Sequence, residues 1–301
     1  MKEIKFEEGQ KIFNALGSEV RLQIVSLCLK RKEINLDELA KELFISNSAI
    51  TMHVKKLEEA GIIQISHKSG VRGSQKVCSV NVDKLLISFD RENTVEKCYE
   101  YDIDIGLYNN YEVEPTCGLA TAKCAIGEFD EPKYFDFLDR INASLIWFAT
   151  GFLEYKIPNG LNADDKLKEL QISLEIASEA PGFSSYYPSD IFFYINGVEL
   201  GFWTSPGEFN NRRGLFTPSW WWENLGQYGK LKMINVNATG TYIDGKKISN
   251  VKIADLNIDS KSEIKFKIAS LKNSKNVGGV TLFGKNFGDF NQGIIVKEIY
   301  E

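Results

Sequence analysis

The sequence predicts an α+β multidomain protein. A helical N-terminal segment ending in a β-hairpin precedes a large antiparallel β-sandwich of jelly-roll type. Three observations predict this. A chain of 301 residues exceeds one small module and suits about two domains. Apolar residues recur at helical spacing up to about residue 60, and in short strand-like runs beyond about residue 100. Charge divides in the same way: residues 1–90 carry 14 Lys/Arg and 12 Asp/Glu, net +2, whereas residues 91–301 carry 22 and 29, net −7. The expected domains are therefore 1–90, a connector 91–140 that joins the sheet, and a β-domain 141–301. The polar run Asp90-Arg91-Glu92-Asn93 marks the first boundary.

Ile12 and Leu16, then Leu22, Ile24, Val25 and Leu29, fall at helical spacing. Gly17 ends the first of these helices and Ser18 is placed to cap the second. Asn35 begins a third helix, with Glu38 as its capping-box partner. Ser46 caps a fourth, which runs to about Ala60 and stops at Gly61. A strand at 62–65, a turn-rich tip at 69–74 and a returning strand at 76–80 complete the segment. Helix, short turn, helix and hairpin, in that order, make a winged helix-turn-helix.

In the fourth helix, 100° per residue puts Ile50, Val54 and Leu57 on one inward face. Ser48, Thr51, Met52, Lys55 and Lys56 lie opposite. Hydroxyls and ammonium groups together suit base edges and phosphates; the alternative is a merely solvated helix face. Residues 45–80 hold five basic side chains (Lys55, Lys56, Lys68, Arg72, Lys76) against Glu58 and Glu59, a local stripe suited to phosphate contact. The expected DNA-binding set is Ser46, Ser48, Thr51, Met52, His53, Lys55, Lys56, Lys68 and Arg72, with the 46–60 helix in the major groove and the 66–76 wing on the backbone. His53 sits at the margin of the apolar face, as a half-buried packing residue or a phosphate donor. His67 begins the wing.

Ala15-Leu16-Gly17-Ser18-Glu19-Val20-Arg21-Leu22-Gln23-Ile24-Val25 resembles the opening of ArsR-type winged-helix repressors. Ser48-Ala49-Ile50-Thr51-Met52-His53-Val54-Lys55-Lys56-Leu57-Glu58-Glu59-Ala60-Gly61-Ile62 resembles their recognition helix. The resemblance, over roughly residues 8–85, implies a homodimeric transcription factor on near-palindromic double-stranded DNA. It places Thr51 and His53 at the DNA. Met52 stands where the family often has arginine. The metal-sensing members' cysteines have no counterpart in Leu36-Asp37-Glu38-Leu39-Ala40-Lys41-Glu42-Leu43, so neither metal nor cofactor is expected. Cys28 reads as packed core.

Beyond residue 100, strand-like runs fall at 101–105, 143–150, 152–157, 170–176, 191–195, 198–203, 231–236, 240–243, 264–268, 280–283 and 293–299. Asn196-Gly197 and Asp244-Gly245 are hairpin signals. The connector is expected to begin with a short helix near 94–99. Glu114-Pro115-Thr116-Cys117-Gly118-Leu119, Ser189-Asp190-Ile191, Ile195-Asn196-Gly197-Val198-Glu199-Leu200-Gly201, Trp203-Thr204-Ser205-Pro206-Gly207 and Gln227-Tyr228-Gly229 resemble a set of bacterial ArsR-type regulators with a long C-terminal domain.

Four of the five tryptophans lie within 203–228. Trp203, Arg212, Arg213, Trp220, Trp221, Trp222 and Tyr228, with Asn286 and Asp289 from a second polar-aromatic stretch, form the expected ligand site. Flat aromatic faces stack on sugar rings, while Arg, Asn and Asp bind hydroxyls or an anionic group. The expected effector is thus a small molecule, a carbohydrate by this reading. Three consecutive tryptophans cannot all face inward from a strand, so at least one lines a pocket, an interface or the surface. A dimer contact is the competing reading.

Other classes are disfavoured. Five scattered cysteines with no Cys-x-x-Cys oppose a disulfide scaffold and a structural zinc site. His53 and His67 are the only histidines, which excludes histidine chemistry later in the chain. No run approaches the roughly 18 apolar residues of a membrane span, and the N-terminus lacks a signal-peptide core, so a cytoplasmic protein without membrane contact is expected. Asp190 and Glu199 are carboxylates of the kind that cut glycosides, but nothing in the sequence sets two of them about 5–10 Å apart. No nucleophile elbow or phosphate loop occurs. The expectation is a regulator, not an enzyme. Its β-domain either senses a ligand or serves only dimerisation or a protein partner.

Overall fold

The computed structural model describes residues 2–6, 9–70, 73–82, 85–88 and 97–301. The chain divides into two compact units, Met1–Thr94 and Val95–Glu301.

In the first unit, β1 (Lys2–Lys5) precedes α1 (Gln10–Leu16), α2 (Glu19–Arg31), β2 (Ile34–Asn35), α3 (Leu36–Leu43), α4 (Asn47–Glu59), β3 (Ile63–Gly70), β4 (Gly73–Val80) and β5 (Leu85–Ser88). The Asn35 capping box forms as its sequence requires: Asn35 Oδ1 accepts from the Glu38 amide at 2.8 Å, and Glu38 Oε2 accepts from the Asn35 amide at 3.5 Å. Ser18 occupies the cap of α2, but its side chain makes no capping bond. Ile50, Val54 and Leu57 are at most 1 % exposed and meet Ile24, Cys28 and Leu39 in the core. Burying each such aliphatic contributes about 1.5–3 kcal/mol. β3 and β4 form the antiparallel hairpin, with β2 against β4. β1 and β5 add a parallel pair outside the helix-hairpin pattern of the sequence.

The second unit is a large antiparallel β-domain. Its strands are β6 (Lys97–Ile103), β7 (Asn110–Ala120), β8 (Ala125–Ile126), β9 (Leu145–Ile157), β10 (Leu167–Ala177), β11 (Ser189–Ile195), β12 (Val198–Ser205), β13 (Lys230–Asn237), β14 (Gly240–Ile243), β15 (Lys246–Ser249), β16 (Ile264–Ser270), β17 (Val280–Phe283) and β18 (Ile294–Tyr300). The main path runs β12-β11-β16-β9-β17-β10-β13-β14-β15. β7 lies on β9, and β6 pairs with β18, which lies on β10. β17 bridges the ends of β9 and β10.

Three expectations are corrected. Residues 97–99, assigned to a helix, are strand: Lys97 to Ile103 pair with Tyr300 to Ile294, and this ladder overrides local helical preference. The runs 143–150 and 152–157 are one strand, β9. Gly151 holds φ +116° at its middle, where a Cβ would fall 1.8 Å from the Glu112 carbonyl oxygen, so only glycine lets the strand pass. β7 carries no clear strand pattern because Pro115 breaks it; the ladder accommodates the proline with a register shift between Glu114 and Cys117.

The main core gathers Leu170, Ile172, Leu174 and Ile176 of β10 with Phe193, Phe266, Ile234 and Val296. A second cluster of Ala120, Leu145, Trp147, Ala177, Trp221, Phe283 and Phe287 carries the candidate ligand site.

Candidate nucleic-acid interface and ligand cavity

Ser46 is extended at φ −69°, ψ 152°, and its Oγ accepts from the Ala49 amide at 3.3 Å, starting α4. Asn47 donates to Asp37 Oδ1 at 2.8 Å, tying α4 to α3. Ser48, Thr51, Met52, Lys55 and Lys56 are exposed on one face of α4. The Thr51 hydroxyl donates to the Asn47 carbonyl at 2.8 Å, leaving its oxygen lone pairs outward as acceptors. Lys55 is 3.8 Å from Glu59, with both side chains more than half exposed; such pairs are weak and exchange readily for phosphate. Lys68 lies on β3, with its side chain outside the described residues, and Arg72 lies outside them altogether.

His53 is half-buried beside Arg21, which is absent from the expected DNA-binding set. Arg21 Nε donates to Ala15 O and Nη2 to Asn14 O, both at 2.6 Å, closing the carbonyl end of α1. Its Nη1 lies 3.4 Å from His53 Nδ1. A guanidinium only donates, so Nδ1 accepts and the His53 proton sits on Nε2. Burial, then the charges of Arg21 and Lys56, push the His53 pKa below the usual histidine value. Its signal was an arginine sharing the inward face of α2 with Ile24 and Cys28.

In the β-domain the expected ligand residues separate. Trp203 packs on the main core with Lys232 Nζ 4.4 Å from its ring centre. Arg212 and Asp289 serve each other: two parallel bonds of 2.8 and 2.6 Å join them, and Asp289 also accepts from the Leu215 amide. Arg212 lies 4.3 Å over the ring of Tyr228, which is buried and donates to Asn211. Arg213 donates to the carbonyls of Pro218 and Trp221 and pairs with Glu223. Asn286 takes a turn at φ 65° and lines a different hollow, beside Lys285 and Asp104. These polar groups hold loops rather than converge on one point.

The three consecutive tryptophans lie in a turn between β12 and β13, not in a strand, and the turn sends their side chains to different surroundings. Trp221 is 4 % exposed, and its indole N–H donates to Gly226 O at 3.0 Å. Trp220 is half-buried and donates to Ala122 O at 2.9 Å. Trp222 is 53 % exposed. Glu175, fully buried, clamps the two polar-aromatic stretches. Its carboxylate accepts from the amides of Gly229, Asp289 and Phe290 at 2.7–3.0 Å. Burial nonetheless pushes it up to about 7.

Trp221 and Trp222 do share a cavity of about 290 Å³, lined also by Phe129, Trp147, Glu179, Glu208, Asp130 and Gly226. Phe129 meets Trp147 and Trp222 edge-on at 5.0 and 5.6 Å. Burial, then the Glu208 charge, holds Glu179 well above the usual carboxylate range. Burial pushes Glu208 up to about 7. Neither carboxylate stands out in the sequence, where each is one acid among 41. Asp190 and Glu199 are engaged elsewhere: Asp190 accepts from Thr204 and Asn276, and Glu199 from the Tyr194 hydroxyl at 3.1 Å. Among the described residues no group of three metal-ligating side chains forms, and no single helix is long and apolar enough to cross a membrane.

Residues 18–64 match the family model described as winged helix-turn-helix DNA-binding. The chain carries a winged helix-turn-helix DNA-binding domain. No curated protein matches it. Among solved structures it is similar to CBM51 from Clostridium perfringens GH95, in complex with methyl-galactose, at 6 % identity and TM-score 0.27, over 66 % of this chain and 99 % of that one. It is also similar to the Agl-KA catalytic domain at 8 % identity and TM-score 0.31, over 70 % and 30 %. Dimeric latent PorU from Porphyromonas gingivalis follows at 11 % and 0.26, over 80 % and 18 %. Likenesses this loose do not identify a fold family.

Proposed function

We propose that this chain is a cytoplasmic, homodimeric transcriptional regulator of ArsR type. It sets α4 into the major groove of a near-palindromic operator and the β3–β4 wing along the backbone. The observation that carries this is the outward face of α4, where Ser48, Thr51, Lys55 and Lys56 stand exposed behind a fully packed inner face. The β-domain is read as a sandwich whose two layers β17 joins. Its function is to bind a small molecule, of carbohydrate class, in the tryptophan-walled cavity and to bias the dimer between two arrangements. A ligand does so only by binding one arrangement better. In this reading the chain binds and does not catalyse; glycosides incubated with it are expected back unchanged.

The test is selection of duplexes from a random pool by the full chain, followed by affinity against salt. Enrichment of a near-palindrome with a steep negative salt slope is expected. Retention of all sequences alike at physiological salt would overturn operator recognition.

A second reading, in which the β-domain serves dimerisation or a protein partner alone, is favoured by exposed apolar side chains around residues 137–141: Phe137, Leu138 at 86 % exposure, and Ile141. Sugar-independent operator affinity would favour it.

A further inference from the structure

The cavity beside Trp221 pairs two unlike walls. One is aromatic: Phe129, Trp147, Trp221 and Trp222 in mutual edge contacts. The other is acidic. Glu208 is 5 % exposed; its Oε2 accepts from the Ser184 amide at 2.9 Å, while Oε1 has no donor among the described residues. Glu179 receives only hydroxyls, from Thr281 at 2.9 Å and Thr116 at 3.4 Å. Asp130 is the third acid, and among the described residues no lysine, arginine or histidine lines the cavity. Buried carboxylates ordinarily have a cation or a full set of donors. Here neither is supplied from within. Aromatic faces attract cations and also stack on the C–H faces of sugar rings. The volume, about 290 Å³, is at the lower end for small-molecule sites, enough for one or two rings.

Resting on the sensing reading above, we infer that the cavity takes a sugar bearing a free amino group, with its ammonium toward Glu208 and Glu179 and its ring face on the tryptophans. Gly226 keeps the approach open: a Cβ there would sit 3.1 Å from Glu208 Oε1. Because burial pushes Glu208 up to about 7 and, with the Glu208 charge, holds Glu179 well above the usual carboxylate range, ammonium binding drives off protons and tightens as pH rises from about 6 to 7.5.

Calorimetry and tryptophan fluorescence on the full chain, with glucosamine, N-acetylglucosamine, glucose and tetramethylammonium as probes, test this. Glucosamine is expected to bind saturably, at least tenfold tighter than the other three, with proton release. Glu208→Gln should cost at least tenfold for glucosamine. Gly226→Ala, which keeps every carboxylate, should also weaken it and covers the case in which Glu208→Gln fails to fold. Equal binding of glucose and glucosamine would overturn the ammonium assignment while leaving carbohydrate sensing intact. Tetramethylammonium binding as tightly as glucosamine would overturn the sugar, and no binding by any probe would overturn the whole inference. Glucosamine binding that leaves operator affinity unchanged supports the cavity assignment and overturns sensing alone.

Discussion

Arg21 on α2 and His53 on α4 are joined, guanidinium Nη1 to imidazole Nδ1 at 3.4 Å, while the rest of the same guanidinium closes the end of α1. One buried side chain thus ties α1 and α2 to α4, the helix proposed for the groove. Removing it leaves two carbonyls short of a donor. Arg21→Ala should destabilise the chain by about 2–4 kcal/mol, and Arg21→Lys, which keeps the charge but not the fork, by about 1–2 kcal/mol. Urea unfolding followed by circular dichroism reads both. Unchanged midpoints would remove Arg21 from the architecture of the domain.

Lys55 and Lys56 are exposed on α4, and the weak Lys55–Glu59 pair is no barrier to phosphate. Each phosphate contact adds about 0.9 to the slope of log affinity against log salt. Lys55→Ala and Lys56→Ala should each lower the slope by roughly that amount and weaken binding across sequences alike. Slopes identical to the parent chain would exclude these two as phosphate contacts. Ser48→Ala should instead relax sequence preference with the slope unchanged.

Glu175 links pH to stability in the opposite direction from a salt-bridged acid. Its folded pKa of about 7 lies above the ordinary glutamate value. Between about pH 4.5 and 7 the folded chain therefore holds a proton that the unfolded chain has lost. Its contribution is fully present below pH 4.5, and it falls as pH rises to 7. In Glu175→Gln that decline should flatten by on the order of 3 kcal/mol relative to the parent. Denaturation midpoints at pH 5 and pH 7.5, compared between the two chains, give the difference. Parallel pH profiles would contradict it.

The N-terminal half was legible because its signals are local. Asn35 with Glu38, Ser46 with Ala49, and the Ile50, Val54, Leu57 stripe all act within a few positions of one another. Most strands were legible for the same reason. The ligand residues were not. Arg212 and Asp289 are 77 positions apart, and each, read alone, looks like a ligand-binding group; only the fold shows that they bind each other. Glu179 and Glu208 are the converse case, two ordinary acids that become unusual once the loops after β10 and β12 bring them to one cavity. Arg21 was readable in principle, as a charge at an inward position of α2, though its partners Asn14, Ala15 and His53 were not.

Trp221 and Trp222 are adjacent in sequence and unlike in consequence. Trp221 is 4 % exposed, meets Trp147 and Phe287 edge-on at 5.7 and 5.4 Å, and donates to Gly226. Its truncation leaves a cavity and an unpaired carbonyl. Trp221→Ala should cost about 3–5 kcal/mol. Trp222 is 53 % exposed and touches Phe129 at 5.6 Å, so Trp222→Ala should cost within about 1 kcal/mol. Yet both line the cavity. Trp222→Ala is therefore the variant that separates binding from folding. It should melt close to the parent chain and lose the fluorescence response to glucosamine. A melting loss as large as that of Trp221→Ala would make Trp222 part of the packed core and not an open wall of the cavity.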